Sequence, residues 1–232
     1  MQENNNLRDS KSLVKSLMIV VVIMAFSAII LIPLPDMVLD ISLESLLAIC
    51  CLLAVIKISI PKLSNLSIFS TMIFIVVLFK LALNIAVTRQ ILSRGHEELG
   101  VISDTVEFLG QFFVGENIII SVILLCFAVF VNFSIAIKGA TTISKSNLHN
   151  LTLENQQNIK TMNGINQFIR GDAIAMIVIM IVSIVGEILI GFHHNMEIAQ
   201  IAQTFMIFTL GNYLFQIMLS IVIIMAITKH DE

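Results

Sequence analysis

Charge is scarce in this 232-residue sequence. Asp, Glu, Lys and Arg together make up 12%, against about 25% in ordinary soluble domains. The length would suit one or two such domains, but there is too little polar surface to coat them. Basic residues are not in excess: 13 Lys and Arg stand against 16 Asp and Glu, for a net charge of −3. No surface for neutralising nucleic-acid phosphates is therefore expected. Cysteine, at 3 residues, is too sparse for a disulfide framework, and Cys50, Cys51 and Cys126 read as small hydrophobes inside apolar segments. A phosphate-cradling glycine loop ending in Lys-Ser/Thr is missing. So is any Ser/His/Asp, Cys/His or zinc-type grouping, and His193–His194 reads as a solvated turn without a third ligand. No catalytic residue, cofactor or metal is expected, and no enzyme. What is abundant is apolar: 57% hydrophobic residues and a mean hydropathy of +0.98. That excludes disorder and leaves an integral membrane protein.

Crossing a hydrocarbon core of about 30 Å takes roughly 20 apolar residues in helix. Six stretches qualify: 17–34, 38–60, 66–92, 117–137, 173–192 and 204–227. The expected fold is an all-α integral membrane protein of about six transmembrane helices plus a short amphipathic extracytoplasmic helix within 95–116. In that segment Val101, Phe108, Leu109 and Phe112 fall on one side of a helix, and Asp104, Glu107 and Gln111 on the other. Such a helix lies at the interface or packs on the bundle; its acidic face, repelled by anionic lipid, favours the bundle. Gly110 and Gly115 mark a close approach or a break. Residues 1–16 form a tail and 17–232 the transmembrane domain, with a polar connection at 138–170 that holds too few apolar residues for an independent domain. Arg8, Lys11, Lys15, Lys57, Lys62, Lys138, Lys145, Lys160, Arg170 and Lys229 fall on alternate connections, which places both termini in the cytoplasm. The first apolar stretch reads as a retained anchor rather than a cleaved signal.

Ionisable groups inside a bilayer cost about 2.5–3.5 kcal/mol each at mid-helix on insertion scales, so those present need a reason. Lys80, Asn84 and Thr88 follow at four-residue steps and form one polar stripe on the third span. Asp40 and Glu44 make a second pair in the outer part of the second span. Glu187 lies in the outer part of the fifth span. Asp172 begins that span from the cytoplasmic side, where a helix N-terminus favours an anion. At 1.5 Å per residue, Lys80 and Glu44 agree in depth to within about one turn. Either the two pair across a helix contact, or Lys80 snorkels outward while Glu44 reaches the headgroups. The stripe passes protons or cations, or it is a structural contact. A polar contact between membrane helices contributes only about 0.6 kcal/mol, so a central lysine implies an aqueous cavity or a partner.

Several strings stand in a definite order: Ile32-Pro33-Leu34-Pro35 before Leu39-Asp40; Phe79-Lys80-Leu81-Ala82-Leu83-Asn84-Ile85-Ala86-Val87-Thr88-Arg89; Gly95-His96-Glu97; Phe108-Leu109-Gly110-Gln111-Phe112-Phe113-Val114-Gly115; Val131-Asn132-Phe133 with Lys138-Gly139-Ala140; and Phe168-Ile169-Arg170-Gly171-Asp172-Ala173. Together they resemble the membrane half of the FHIPEP family, export-gate proteins of flagellar and virulence type III secretion, over residues 18–217. The resemblance implies an eight-span membrane part followed by a large cytoplasmic domain. It also implies a homo-oligomeric ring in the bacterial inner membrane, alongside other export-apparatus membrane proteins, that helps couple the proton gradient to export of unfolded protein substrates. By position Pro33, Pro35, Asp40, Lys80, Asn84, Arg89, Gly110, Gln111, Asn132, Lys138, Gly139, Arg170, Gly171 and Asp172 carry over.

Departures from the family pattern accompany the likeness. Lys80 stands where arginine is usual, which keeps the charge but loses the planar fork. Glu187 stands where a glycine is expected. Only 21 residues separate Ala140 from Met162, so the long charged cytoplasmic stretch is not there, and the sequence ends before the last two spans and the cytoplasmic domain. Three readings follow: a transport component of type III export; a truncated, non-conducting scaffold or degenerate homologue; or an unrelated six-span ion transporter, against which the lack of inverted-repeat similarity argues weakly.

Overall fold

The computed structural model describes residues 17, 20, 21, 24–59, 67–96, 102–114, 118–146 and 153–227. Every regular element among them is helical. Residues 24–31 belong to a first helix, α1. It is followed by α2 (Asp36–Ser59), α3 (Ser67–Arg94), α4 (Asp104–Val114), α5 (Ile118–Ser146), α6 (Leu153–His193) and α7 (Ile198–Ile227). Among the described residues, Asp36–Ser59, Thr71–Arg94, Gln167–His193 and Ile198–Ile227 are each long and apolar enough to cross a membrane, and Ile119–Ser134 is a shorter apolar helical stretch. The expected first span is described only in part.

The 138–170 connection is more helical than its polar composition suggests. α5 continues to Ser146, and α6 begins at Leu153 and runs for 41 residues. Asp172 therefore sits deep inside a helix, and the helix-terminus reason for a carboxylate there does not hold. Nor do Arg170 and Gly171 mark a helix start: Arg170 is exposed and Gly171 faces open space.

Sequence chemistry sets the turns. Pro33 and Pro35 lack backbone donors and hold residues 33–35 out of helix between α1 and α2. The carbonyls at the end of α1, Ile30 O and Ile32 O, accept from the Arg89 guanidinium of α3. Arg94 and Gln90 of α3 hold Asp36 at the start of α2. Between α6 and α7, Asn195 adopts φ 57°, a left-handed conformation asparagine tolerates. Its N–H donates to Phe192 O at 3.1 Å and the Met196 N–H to Gly191 O at 3.0 Å, the bond pair of a Schellman cap.

α7 is the central helix and touches α2, α3, α4, α5 and α6. Lipid tails are as apolar as leucine, so close contact between membrane helices comes from small residues and polar groups rather than from a hydrophobic stripe. α4 shows this. A Cβ added at Gly110 would meet the Ile207 backbone of α7, and one at Gly211 would meet the Val106 backbone of α4, so the two helices touch main chain to main chain. Val106 and Gly110 are buried in that contact, while Phe108 and Phe112 are exposed. α4 packs on the bundle, as its acidic face suggested, but the aromatic side expected to make the contact points outward.

Candidate functional site

α3 carries Lys80 into the middle of the bundle, where it is fully buried. Its ammonium donates to Asp172 Oδ2 of α6 at 2.5 Å, to Ser220 Oγ of α7 at 2.8 Å, and to Met176 Sδ of α6 at 3.2 Å. The salt bridge is almost wholly withdrawn from solvent, with the two side chains 1% and 7% exposed. Withdrawing each ion costs several kcal/mol, offset only by close geometry and further hydrogen bonds. Lys80 uses its three contacts for this, but Asp172 Oδ1 is buried without a hydrogen-bond partner. Asp172 also lines a void of about 10 Å³, together with Asn132 and Ser220, room for about one water.

Neither expectation for Lys80 holds: it does not snorkel, and its partner is Asp172, not Glu44. The buried face of α2 is Leu39, Leu43, Leu46, Cys50 and Leu53, and Glu44, about 100° round the helix from Leu43, is exposed. Depth alone matched Lys80 with Glu44; the direction each helix presents separates them. Asp40 also leaves the expected polar path. It accepts from Ser103 Oγ at 2.5 Å, and from the Asp104 and Thr105 N–H groups at 3.2 and 3.1 Å. A carboxylate from α2 thus caps the N-terminus of α4, where orphan donors and the helix dipole favour an anion.

Beyond Lys80 the stripe continues as expected along α3, with Asn84 and Thr88 both buried. Its counterpart on α7 is Thr209, Asn212, Gln216 and Ser220, all buried and at three- and four-residue steps along the helix. The period that exposed the α3 stripe applies equally here. Asn212 donates to Asn84 Oδ1 at 2.9 Å, Gln216 to Asn212 Oδ1 at 3.4 Å, and Ser220 to Gln216 O at 3.0 Å. Gln216 Oε1 is buried without a partner. Asn132 of α5 donates to Tyr213 Oη at 3.2 Å. At the other end, Glu187 of α6 is buried and accepts from Ser183 Oγ at 2.6 Å and from Thr209 Oγ1.

The result is a buried polar file between α3, α6 and α7 that runs from Asp172 to Glu187. Fifteen residues of helix place its two carboxylates about 22 Å apart along α6, against a hydrocarbon core of about 30 Å. A second void of about 10 Å³ lies within the file, bordered by Asn84, Thr88, Ser183, Thr209 and Asn212. One contact within α6, from Ser183, and one interhelical contact of about 0.6 kcal/mol, from Thr209, fall short of the insertion cost of a carboxylate, so Glu187, like Lys80, is more than packing requires.

The remaining expected residues are dispersed. Arg89 binds the α1 end, and Gln111 is exposed and donates to Glu107 of its own helix at 2.8 Å. Lys138 and Gly139 lie in α5, but their side chains fall outside the described residues, as does Gly115. His193 and His194 are exposed at the turn that ends α6, as the solvated-turn reading has it, and the His194 ring stacks on His96 at 3.8 Å and meets His193 at 5.2 Å. Desolvation by its neighbours, together with His96 and His193, lowers its pKa from the usual 6.5.

Comparison with known proteins gives the family. The model of the FHIPEP family matches residues 26–146 and 153–228. The chain is 32% identical to the flagellar biosynthesis protein FlhA of Helicobacter pylori, over 85% of this chain and 31% of that protein. It is 27% identical to FlhA of Salmonella typhimurium, over 83% of this chain and 32% of the relative. Against FlhA of Buchnera aphidicola subsp. Baizongia pistaciae the figures are 30%, 83% and 32%. The chain thus spans about a third of the length of these relatives. No solved structure matches.

Proposed function

The chain belongs to the FHIPEP family, and from that premise we propose that it serves as a membrane component of a type III protein-export apparatus. It is a transport component rather than an enzyme, set in the bacterial inner membrane with both termini cytoplasmic, assembled with copies of itself and with other export-apparatus membrane proteins. Exported proteins are its cargo. Within it the Lys80–Asp172 pair and the Asn84 level form a path that couples the proton gradient to export.

The observation that carries this reading is the buried pair itself. Lys80 and Asp172 are sequestered among apolar helices, and Asp172 keeps one oxygen unbonded beside a one-water void. A carboxylate held by a lysine on one oxygen and unbonded on the other can take a proton and release its partner. A second reading is a non-conducting scaffold. It is favoured by the small size of both voids, about 10 Å³ each, which do not amount to an open aqueous channel.

Proton flux separates the two. In proteoliposomes under an imposed membrane potential, the wild type acidifies the receiving compartment. Lys80→Met and Asp172→Asn reduce that flux to the background of empty vesicles, while Glu44→Gln leaves it intact. A wild type no faster than empty vesicles establishes the scaffold instead.

A further inference from the structure

Glu187 remains unused by the Lys80–Asp172 pair, and it is buried where, among the described residues, no ion pair reaches it. α7, which packs against it, contains no Asp, Glu, Lys, Arg or His between Ile198 and Ile227. On α3, Lys80 is bound to Asp172, Arg89 to the carbonyls of Ile30 and Ile32, and Arg94 to Asp36. On α4, Asp104 is exposed and Glu107 accepts from Gln111. Lys138 and Lys145 of α5 lie about 30 Å or more along that helix from its Ile118 end. On its own helix the nearest ionisable residues are His193, at the outer end, and Asp172.

Glu187 is instead met by hydroxyls. Ser183, one turn away on α6, and Thr209 on α7 both bond Oε1. The same two residues border the void whose other polar walls are Asn84, Thr88 and Asn212. The two hydroxyls thus stand between a carboxylate and a one-water space that reaches the middle of the polar file. Hydroxyls both donate and accept, so they can orient around either form of a carboxyl group.

We propose that Glu187 is the outer proton-exchange group of this file. It takes a proton from the extracytoplasmic side onto its carboxylate and releases it, by way of the Ser183 and Thr209 hydroxyls and a water in the void, toward the Asn84–Asn212 level and Asp172. No bond other than O–H forms or breaks, and the proton delivered inward is replaced from outside. The proposal deepens the proton-coupling reading above and rests on it.

Infrared difference spectroscopy of the purified full chain in lipid bilayers, titrated with pH, tests it directly. A C=O stretching band of a protonated carboxyl shielded from water should come and go with pH in the wild type and in Asp172→Asn. It should vanish in Glu187→Gln, which keeps shape and an acceptor oxygen, and change frequency in Thr209→Val. A wild type without the band, or a band unchanged in Glu187→Gln, overturns the proposal. In proteoliposomes Glu187→Gln should slow proton flux by about a hundredfold, the low end of what a positioned proton-transfer group contributes. Wild-type flux unaltered in Glu187→Gln overturns the proposal and leaves the coupling function standing. A wild type that carries no flux overturns the coupling function, and with it the transfer from Glu187 to Asp172.

Discussion

Removing one member of the Lys80–Asp172 pair leaves the other as an uncompensated buried charge. Lys80→Met strands Asp172, whose Oδ2 loses its only described partner while Oδ1 already lacks one. Asp172→Leu strands an ammonium that keeps only Ser220 and a methionine sulfur. Each single substitution should cost about 3–5 kcal/mol. The double variant removes both charges and fills the space with apolar side chains, so it should fall near the wild type or up to about 1–4 kcal/mol above it. Reversible unfolding in mixed micelles, with the denaturing detergent fraction as the axis, measures all four members of the cycle. Glu44→Gln, at an exposed position, should stay within about 0.5 kcal/mol of wild type. If the two losses simply add, giving a double variant about 6–10 kcal/mol less stable, then Lys80 and Asp172 do not share a buried site and the reasoning fails.

Other positions test other contacts. Gly211→Ala places a methyl against the Val106 carbonyl, which backbone cannot yield cheaply; micellar unfolding should show a loss of about 1–3 kcal/mol. Gly171→Ala, in open space within α6, should instead gain up to about 1 kcal/mol from helix propensity. Asp40→Ala should cost about 0.5–2 kcal/mol, the range for a lost helix cap, and speed hydrogen exchange at the Asp104 and Thr105 amides. His194 has a folded-state pKa held below 6.5, so on acidification the unfolded chain binds its proton first. Its contribution to stability is present above 6.5 and is lost as pH falls through the folded value. His194→Asn should flatten that dependence in the unfolding midpoint.

Much of the helical layout is written in the hydropathy of the sequence, because spanning length and apolar composition are set by the bilayer. The Lys80–Asn84–Thr88 stripe is equally legible, since four-residue spacing fixes a shared helix face whatever lies opposite. What lies opposite is not. Choosing Asp172 over Glu44 needs the rotation of α2 and α6, and in an apolar helix no polar outer face reveals it. The same blindness turned α4 round: with lipid and protein both apolar, the side bearing Phe108 and Phe112 carries no information about packing, whereas Gly110 does. The α7 stripe from Thr209 to Ser220 was open to the same period reading as the α3 stripe. Glu187 was visible as a misplaced charge, but its hydroxyl partners come from one turn back and from a second helix.

The account turns on Lys80 meeting Asp172 inside the bilayer. Solid-state NMR of the chain in lipid, with Lys80 labelled at Nζ and the aspartate and glutamate carboxyl carbons labelled, reads that contact as a nitrogen–carbon dipolar coupling. A strong coupling to a carboxyl carbon that disappears in Asp172→Asn and survives in Glu44→Gln is the predicted result. A Lys80 ammonium that couples to Glu44, or that exchanges freely with water and couples to no carboxylate, contradicts it.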